Sequence, residues 1–350
     1  MDRKTQKTAD APATVVAIGR ARIGQDPFPV IAGPCAVESD EQISATARAV
    51  SDAGAAVLRG GAYKSTSTPY AFRGLGREGV RMLAEAGRQS GLPVATQVLE
   101  AGDAEDAAEL VDALEIGSGS MQDFELLRVV GRLGKPVLLR RGASATLDEW
   151  LWAAEYILAE GNQQVVLVER GVRTFGGSGS DMLDISAVPQ LKELSHLPVI
   201  VDPSHAAGEA NRVQPLALAA QGVGADGVIV EVHPDPATAR TDGPQLDPGA
   251  FLILMTALGI DRLRHRIDQI DRQIVRLLSR RQDLALEIGR AKAHRGLPIY
   301  IPDREAELLG VIEEEAGRAG IEPGHVRALF QLVLAESRRL QQILRATEGR

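Results

Sequence analysis

Residues 197–205 read Leu-Pro-Val-Ile-Val-Asp-Pro-Ser-His, and the fold turns on how this stretch is read. Three β-branched residues after a proline make a buried strand, and Asp202, Pro203, Ser204 and His205 fall where such a strand opens into a loop. Polar residues at that point are either a helix N-cap beside a merely hydrogen-bonded histidine, or the rim of a site. Seven more apolar runs of the same kind lie around it: FPVIAG, AAVLRGG, PVATQV, ALEIGS, KPVLLRRG, QVVLVERG and GVIVEVH. Between the runs, stretches rich in Ala, Leu and Glu recur at helical spacing, for example 41–53, 123–133, 147–159 and 216–221. Eight buried strands alternating with helices over roughly 220 residues fit a (β/α)8 TIM barrel better than an open doubly wound sheet. No GxGxxG opens a helix after the first strand, which argues against dinucleotide binding.

Of the 350 residues, 44% are hydrophobic and 25% charged, the make-up of one large or two moderate globular domains. A formal charge of -8 argues against nucleic acid as a partner, and no apolar run approaches a membrane span. One cysteine excludes an intrachain disulfide, and the polar first residues lack the apolar core of a signal peptide. The cytoplasm is the expected location, with small molecules and further copies of the chain as partners. Residues 1–27 read as a mobile arm or short packing segment, and residues 28–255 as the barrel. The character changes after Leu258. Residues 260–293 form one long periodic segment, with Leu263, Ile267, Ile270, Ile274, Leu277 and Leu278 on one side and many arginines on the other. At 1.5 Å per residue this is a helix of roughly 50 Å. Two more helices follow, from about Pro302 to Ala319 and from the Gly320/Pro323/Gly324 break to about Ala346. This three-helix all-α unit, residues 260–346, is too thin to bury its own apolar stripe, so a homodimer through it is expected.

In a barrel, chemistry sits at the carboxyl ends of the strands. There the chain places Cys35 in GPC, His205 in DPSH, Glu231 in VEVH and Asp242 in TDGPQ. Each has a bland alternative: a small buried cysteine, a satisfied histidine, a salt-bridge partner, a turn former. Together, mixed soft and hard donors suit a divalent Mn, Fe, Co or Zn ion rather than Mg or Ca.

The blocks IAGPCAVES, LRGGAYK, TSTPYAFRGLG, ERGVRTF, LPVIVDPSHAAG, GADGVIVEVHPDP and DGPQ closely resemble the type Iβ class of 3-deoxy-D-arabino-heptulosonate 7-phosphate (DAHP) synthase. That resemblance implies a (β/α)8 barrel that joins phosphoenolpyruvate to erythrose 4-phosphate with a divalent metal. It carries the metal ligands over to Cys35, His205, Glu231 and Asp242. The departures from the family's pattern fall together. Thr66 stands where the family has the arginine for the aldehyde's phosphate, and Gly119 and Ser180 stand where it has arginines for the phosphate of phosphoenolpyruvate. Gln97 and Gly176 replace glutamates. The groups for the carboxylate end, Arg59, Lys64 and Arg140, are present, the last in place of a lysine. Each charge-assisted contact to a buried phosphate contributes roughly 1.5–3 kcal/mol, so the loss of three weakens binding by several orders of magnitude. Arg73, Arg141 and Arg173 are the replacement cations on offer. The expectation is a metal-assisted aldol barrel turned to a non-phosphorylated 2-oxo acid such as pyruvate, with Lys64 as proton donor or relay. The alternatives are an ordinary DAHP synthase with relocated cations, and a silent barrel that senses or scaffolds.

In the tail, Arg281 and Lys292 are eleven residues apart and share a helical face, while Arg264 lies on another face and points to a neighbouring subunit's site. Ser337 and Gln341 share a face of the last helix, and Arg304 and Glu305 open the middle one. Exposed arginines on helices are usually just solvated. Yet LRHRIDQIDRQIVRLLSRR, IGRAK, GLPIYIPDREAE and LFQLVLAESRRLQQ closely resemble the all-helical chorismate mutases. The resemblance implies that chorismate is held by Arg264, Arg281, Lys292, Arg304, Glu305, Ser337 and Gln341. Lys292 and Gln341 would face the ether oxygen, and Arg264 would come from across a dimer. Ile301 stands where the family commonly has an aspartate. By family, a tetramer is also compatible.

Overall fold

The computed structural model describes residues 3–8, 13–25, 27–66, 68–174, 181–241 and 243–348, without the side chains of 260–266, 268, 269, 347 and 348. The chain forms two compact units, Met1–Leu263 and Arg264–Arg350.

In the first unit a short hairpin, β1 (Val16–Ile18) and β2 (Ala21–Ile23), precedes eight parallel strands. These are β3 (Val30–Gly33), β4 (Val57–Arg59), β5 (Val94–Val98), β6 (Ala113–Ile116), β7 (Val137–Arg140), β8 (Val165–Glu169), β9 (Val199–Val201) and β10 (Val228–Glu231). They close in chain order, with β10 hydrogen-bonded to both β3 and β9, so the barrel expected from the eight apolar runs is the barrel observed. Every residue of these eight strands is buried, as it must be where side chains point alternately into the barrel and under the helices.

Four helices of this unit start at side-chain caps. Ser39 Oγ accepts from Gln42 N at 3.1 Å for α1 (Asp40–Asp52), and α2 (Arg77–Ser90) and α3 (Ala101–Ala108) follow. Asp123 Oδ1 accepts from Leu126 N for α4 (Phe124–Leu133), and Thr146 and Glu149 form a capping box for α5 (Leu147–Ala159). The outer layer is completed by α6 (Ala187–Leu194), α7 (Pro203–Ala207) and α8 (Val213–Gly222). Trp150 of α5 is fully buried between helix and sheet, its Nε1 donating to Leu139 O at 3.2 Å.

Inside the barrel, Ile31, Val57, Ala95, Ala113, Leu138, Val166, Val168, Ile200 and Ile229 pack in one cluster with Val16, Ile18, Ala21 and Ile23 of the hairpin. Residues 16–23, within the segment read as an arm or packing segment, thus stopper the barrel. The hairpin lies at the end where strands begin: Gly19 abuts Pro93 and Gly24 abuts Pro198, each just ahead of a strand.

The last helix of the first unit begins earlier than the sequence pattern suggests. It runs Pro248–His294 as α9, passing Gly259, and its residues from Arg264 onward belong to the second unit. One glycine in a helix interior costs only about 1 kcal/mol, too little to end it. The second unit adds α10 (Pro302–Arg318) and α11 (Pro323–Glu348). Among the described residues no helix is long and apolar enough to cross a membrane.

Candidate functional site

Alternation carries the inward face of six of the eight strands from the apolar cluster to one further buried polar residue at the carboxyl end. That residue is Arg59 on β4, Gln97 on β5, Glu115 on β6, Arg140 on β7, Asp202 after β9 and Glu231 on β10. All six are buried, and the charged ones bind one another. Arg59 Nη1 donates to Glu231 Oε1 at 2.9 Å and to Pro34 O at 3.0 Å, and its Nη2 to Glu115 Oε1 at 3.2 Å. Arg140 Nε donates to Glu115 Oε1 at 2.6 Å, and its Nη1 is paired with Asp202. Burial opposes the charge on Glu115, yet Arg140 and Arg59 override it and hold the carboxyl down at about 2. The same contest holds Asp202 well below the carboxylate range, through His205 and Arg140, and lowers Glu231, through His205, Arg59 and Lys64. Two donors are left over: Arg59 Nε and Arg140 Nη2 are buried with no hydrogen-bond partner among the described residues.

The DPSH stretch caps a short helix at the carboxyl end of β9. Asp202 Oδ1 caps α7 by accepting from His205 N at 3.1 Å, and its Oδ2 lies 2.8 Å from His205 Nδ1. Asp202 Oδ2 at Nδ1 orients the ring, whose Nε2 lies 3.7 Å from Glu231 Oε1. On the neighbouring strand end, Cys35 Sγ accepts from Lys64 Nζ at 3.1 Å. Burial and then Glu231 push the Cys35 thiol up. Two glycines allow this crowding. A Cβ on Gly33, whose φ is 153°, would meet Arg59 O at 1.9 Å, and one on Gly61 would meet Cys35 O at 2.5 Å. Thiol, imidazole and carboxylate at one end suit a borderline divalent cation. Among the described residues no three such groups are drawn together as a finished ligand cluster, and Asp242, the fourth expected ligand, lies outside them.

Two of the three positions of the missing arginines, Thr66 and Gly119, follow Lys64 and β6 at the same end of the barrel. Gly119 faces Ser65, whose Oγ would lie 3.8 Å from a Cβ at 119, and Thr66 spends its hydroxyl on Thr68 O at 2.9 Å. Ser180 lies outside the described residues. Of the replacement cations, Arg141 is buried and bound to Glu169 and Asp184, both at 2.9 Å, whereas Arg73 and Arg173 are exposed. Burial pushes the Glu169 carboxyl up against the pull of Arg141. Arg170 is paired with Asp181. Glu115, Glu169 and the pair Arg170–Asp181 were not singled out by sequence reasoning. A charge at the next inward position of an apolar strand is the signal that finds Glu115 and Arg170.

The second unit has a cavity of ≈ 400 Å³ lined by Arg281, Lys292, Arg304, Glu305, Ser337 and Gln341. These are six of the seven residues expected there, and the side chain of the seventh, Arg264, lies outside the described residues. Arg281 Nη1 donates to Ser337 Oγ at 2.6 Å, Lys292 Nζ to Ile299 O at 2.8 Å and Gln341 Nε2 to Ala285 O at 2.7 Å. Leu284, Ala285, Ile288 and Leu334 supply the apolar wall, and Ile301 also lines it. Arg338, not foreseen, lines the cavity and is paired with Glu305. Its place in the series 334, 337, 338, 341 on one helical face is the signal that finds it.

Residues 5–256 match the DAHP synthetase I family, and residues 263–342 match chorismate mutase type II. The chain is 48% identical over 232 residues to the phospho-2-dehydro-3-deoxyheptonate aldolase of Thermotoga maritima, covering 66% of this chain and 69% of that one. It is 34% identical over 277 residues to the 2-dehydro-3-deoxyphosphooctonate aldolase of Rhodopseudomonas palustris, covering 73% and 96%. The crystal structure of the Thermotoga maritima DAHP synthase is similar with a TM-score of 0.71 at 42% identity, over 76% of this chain and 77% of that chain. The truncated form of the same synthase gives 0.68 at 41% identity, over 75% and 96%. With the match spanning the barrel and the helices behind it accounted for separately, the chain belongs to the DAHP synthetase I family and carries a chorismate mutase type II domain.

Proposed function

We propose that the barrel adds a non-phosphorylated 2-oxo acid, such as pyruvate, to an aldehyde, and that the helical unit rearranges chorismate to prephenate. One observation carries the first half: the ring cations Arg59 and Arg140 are bound to Glu115, Asp202 and Glu231, while Thr66 and Gly119 offer no charge. A phosphate has little to bind, but a carboxylate is served by the two unpartnered donors, Arg59 Nε and Arg140 Nη2. Cys35, His205 and Glu231, joined by Asp242, would hold the divalent cation, which supplies Lewis acidity beside the 2-oxo group when bound. Lys64, whose Nζ rests on Cys35 Sγ, reaches this end of the mouth. Acting as a relay, Lys64 Nζ takes a proton from the methyl of the 2-oxo acid, the new C–C bond forms between that carbon and the aldehyde carbon, and the same Nζ returns the proton to the aldehyde oxygen.

In the helical unit no covalent catalyst is needed. Arg281 and Arg304 hold the carboxylates of chorismate, Lys292 and Gln341 face the ether oxygen as charge grows there, and Arg264 comes from a second copy. Ile267, Ile270, Ile274 and Leu277 of α9 are exposed at helical spacing, which supports a homodimer. An ordinary DAHP synthase is the second reading, favoured by the 48% identity to the Thermotoga protein and by the exposed Arg73 and Arg173. A cytoplasmic setting suits either reading.

The test is one preparation with manganese, assayed with pyruvate and erythrose, and separately with phosphoenolpyruvate and erythrose 4-phosphate. Pyruvate consumption without phosphate release is expected, and phosphate release at an enzymatic rate overturns the proposal. Gly119→Arg should tighten phosphoenolpyruvate binding by about tenfold or more, since a side chain there has room.

A further inference from the structure

We propose that Asp181 is a built-in counter-ion that occupies the guanidinium of Arg170 and so makes the barrel refuse phosphate esters. The inference rests on the reading of the barrel as a 2-oxo acid aldolase and names the residue that enforces it.

Arg170 belongs to the inward ring. Val166 and Val168 of β8 face the barrel interior, and the next residue of that face is Arg170. Strand geometry persists to that point, because Arg141 N donates to Val168 O at 3.0 Å and Asp202 N to Glu169 O at 2.7 Å. The ring's other guanidiniums are held by carboxylates at the ends of other strands, whereas Arg170 is held by a residue only eleven positions further along the sequence. Asp181 is set in place by several independent contacts. Val172 and Met182 exchange two backbone hydrogen bonds of 2.8 Å, clamping the chain immediately beside it. Gly171, with φ at 102°, leaves only 3.1 Å between a hypothetical Cβ and Asp181 Cβ, so the close approach depends on that glycine. Arg141, bound to both Glu169 and Asp184, ties the two sides of the segment together. The Arg170 and Asp181 side chains are 12% and 22% exposed, so solvent screens the pair only partly.

A guanidinium matched to an internal carboxylate is neutral to an arriving anion. A phosphate at Arg170 must displace Asp181 and then share the pocket with it, at the cost of like-charge repulsion. A 2-oxo acid avoids this cost, since its single carboxylate can use the free donors of Arg59 and Arg140.

The experiment titrates inorganic phosphate into the full-length, manganese-loaded protein by calorimetry, for wild type, Asp181→Asn and Asp181→Asn/Arg170→Gln. Releasing Arg170 should tighten phosphate by about ten- to a hundredfold, and removing Arg170 should abolish the gain. Asp181→Ser is a second way to delete the charge, and thermal melts identify any variant that has lost its fold. Unchanged phosphate affinity in folded Asp181→Asn and Asp181→Ser, or a gain that survives loss of Arg170, overturns the proposal. Turnover of phosphoenolpyruvate by the wild type would overturn both the aldolase reading and the refusal of phosphate esters, whereas unchanged affinity in the variants overturns the role of Asp181 alone. The phosphate titration would still decide the role of Asp181.

Discussion

Glu115 holds the ring together. Its carboxylate is the acceptor shared by Arg59 and Arg140, and all three are at most 3% exposed. Glu115→Gln keeps the shape and removes the charge, leaving two buried guanidiniums short of a partner. Breaking a buried pair in this way should cost about 3–5 kcal/mol at pH 7, read from urea denaturation. The pH dependence follows from the lowered carboxyl, held at about 2 against an ordinary 4.5. Stability from Glu115, of about 3 kcal/mol, is fully present above pH 4.5 and is lost as pH falls toward 2. Between pH 5 and 3, wild type should therefore lose stability more steeply than Glu115→Gln, and equal slopes would assign acid sensitivity to other groups. Legibility at this scale was uneven. Cys35, Lys64, His205 and Glu231 stood out because they end strands in recognisable blocks. Glu115 did not, because an isolated glutamate in ALEIGS reads as a solvent-facing strand residue until the barrel closes around it.

Whole elements were easier to read than single residues. Continuous β-branched runs have few fates besides a barrel strand, so the eight strands emerged from composition and order. The hairpin of β1 and β2 did not, since three-residue strands carry too little pattern to separate from a polar arm. The start of α9 was missed for the opposite reason: Gly259 looks like a break, but one glycine is a small penalty in a helix of 47 residues. Gly289, in the same helix, has a steric purpose. A Cβ there would lie 2.9 Å from Gln341 Cγ, so the missing side chain lets α11 seat Gln341 against α9. Gly289→Ala should favour the isolated helix by up to about 1 kcal/mol, yet displace Gln341 and lower the kcat/KM for chorismate by about tenfold or more. A rate equal to wild type would show that Gln341 tolerates the shift.

At the scale of the whole chain, two chemistries with different needs share one polypeptide. The barrel reading calls for a divalent cation, and the mutase reading calls for none. Exhaustive chelation should therefore abolish pyruvate consumption while chorismate loss continues at its original rate, and re-added manganese should restore the former. Loss of both on chelation would mean that the cation maintains the fold as a whole. Most of the lining of the helical unit's cavity was named from the resemblance to chorismate mutases, whereas periodicity alone placed Arg281 with Lys292 and Ser337 with Gln341 on shared helical faces. The missing arginines were legible directly in the sequence. That Arg59, Arg140 and Arg141 are paired with carboxylates depends on contacts between distant segments, which no local pattern carries.

The hairpin that stoppers the barrel also sets traffic. Val16, Ile18 and Ile23 are fully buried beneath the ring, so molecules pass through one doorway. A reactant seated against Arg59 and Arg140 lies deeper than its co-reactant and is trapped once the latter docks. On the proposed reading the barrel is a queue: the 2-oxo acid would board first, the aldehyde second, and the joined product would back out by the route along which both arrived.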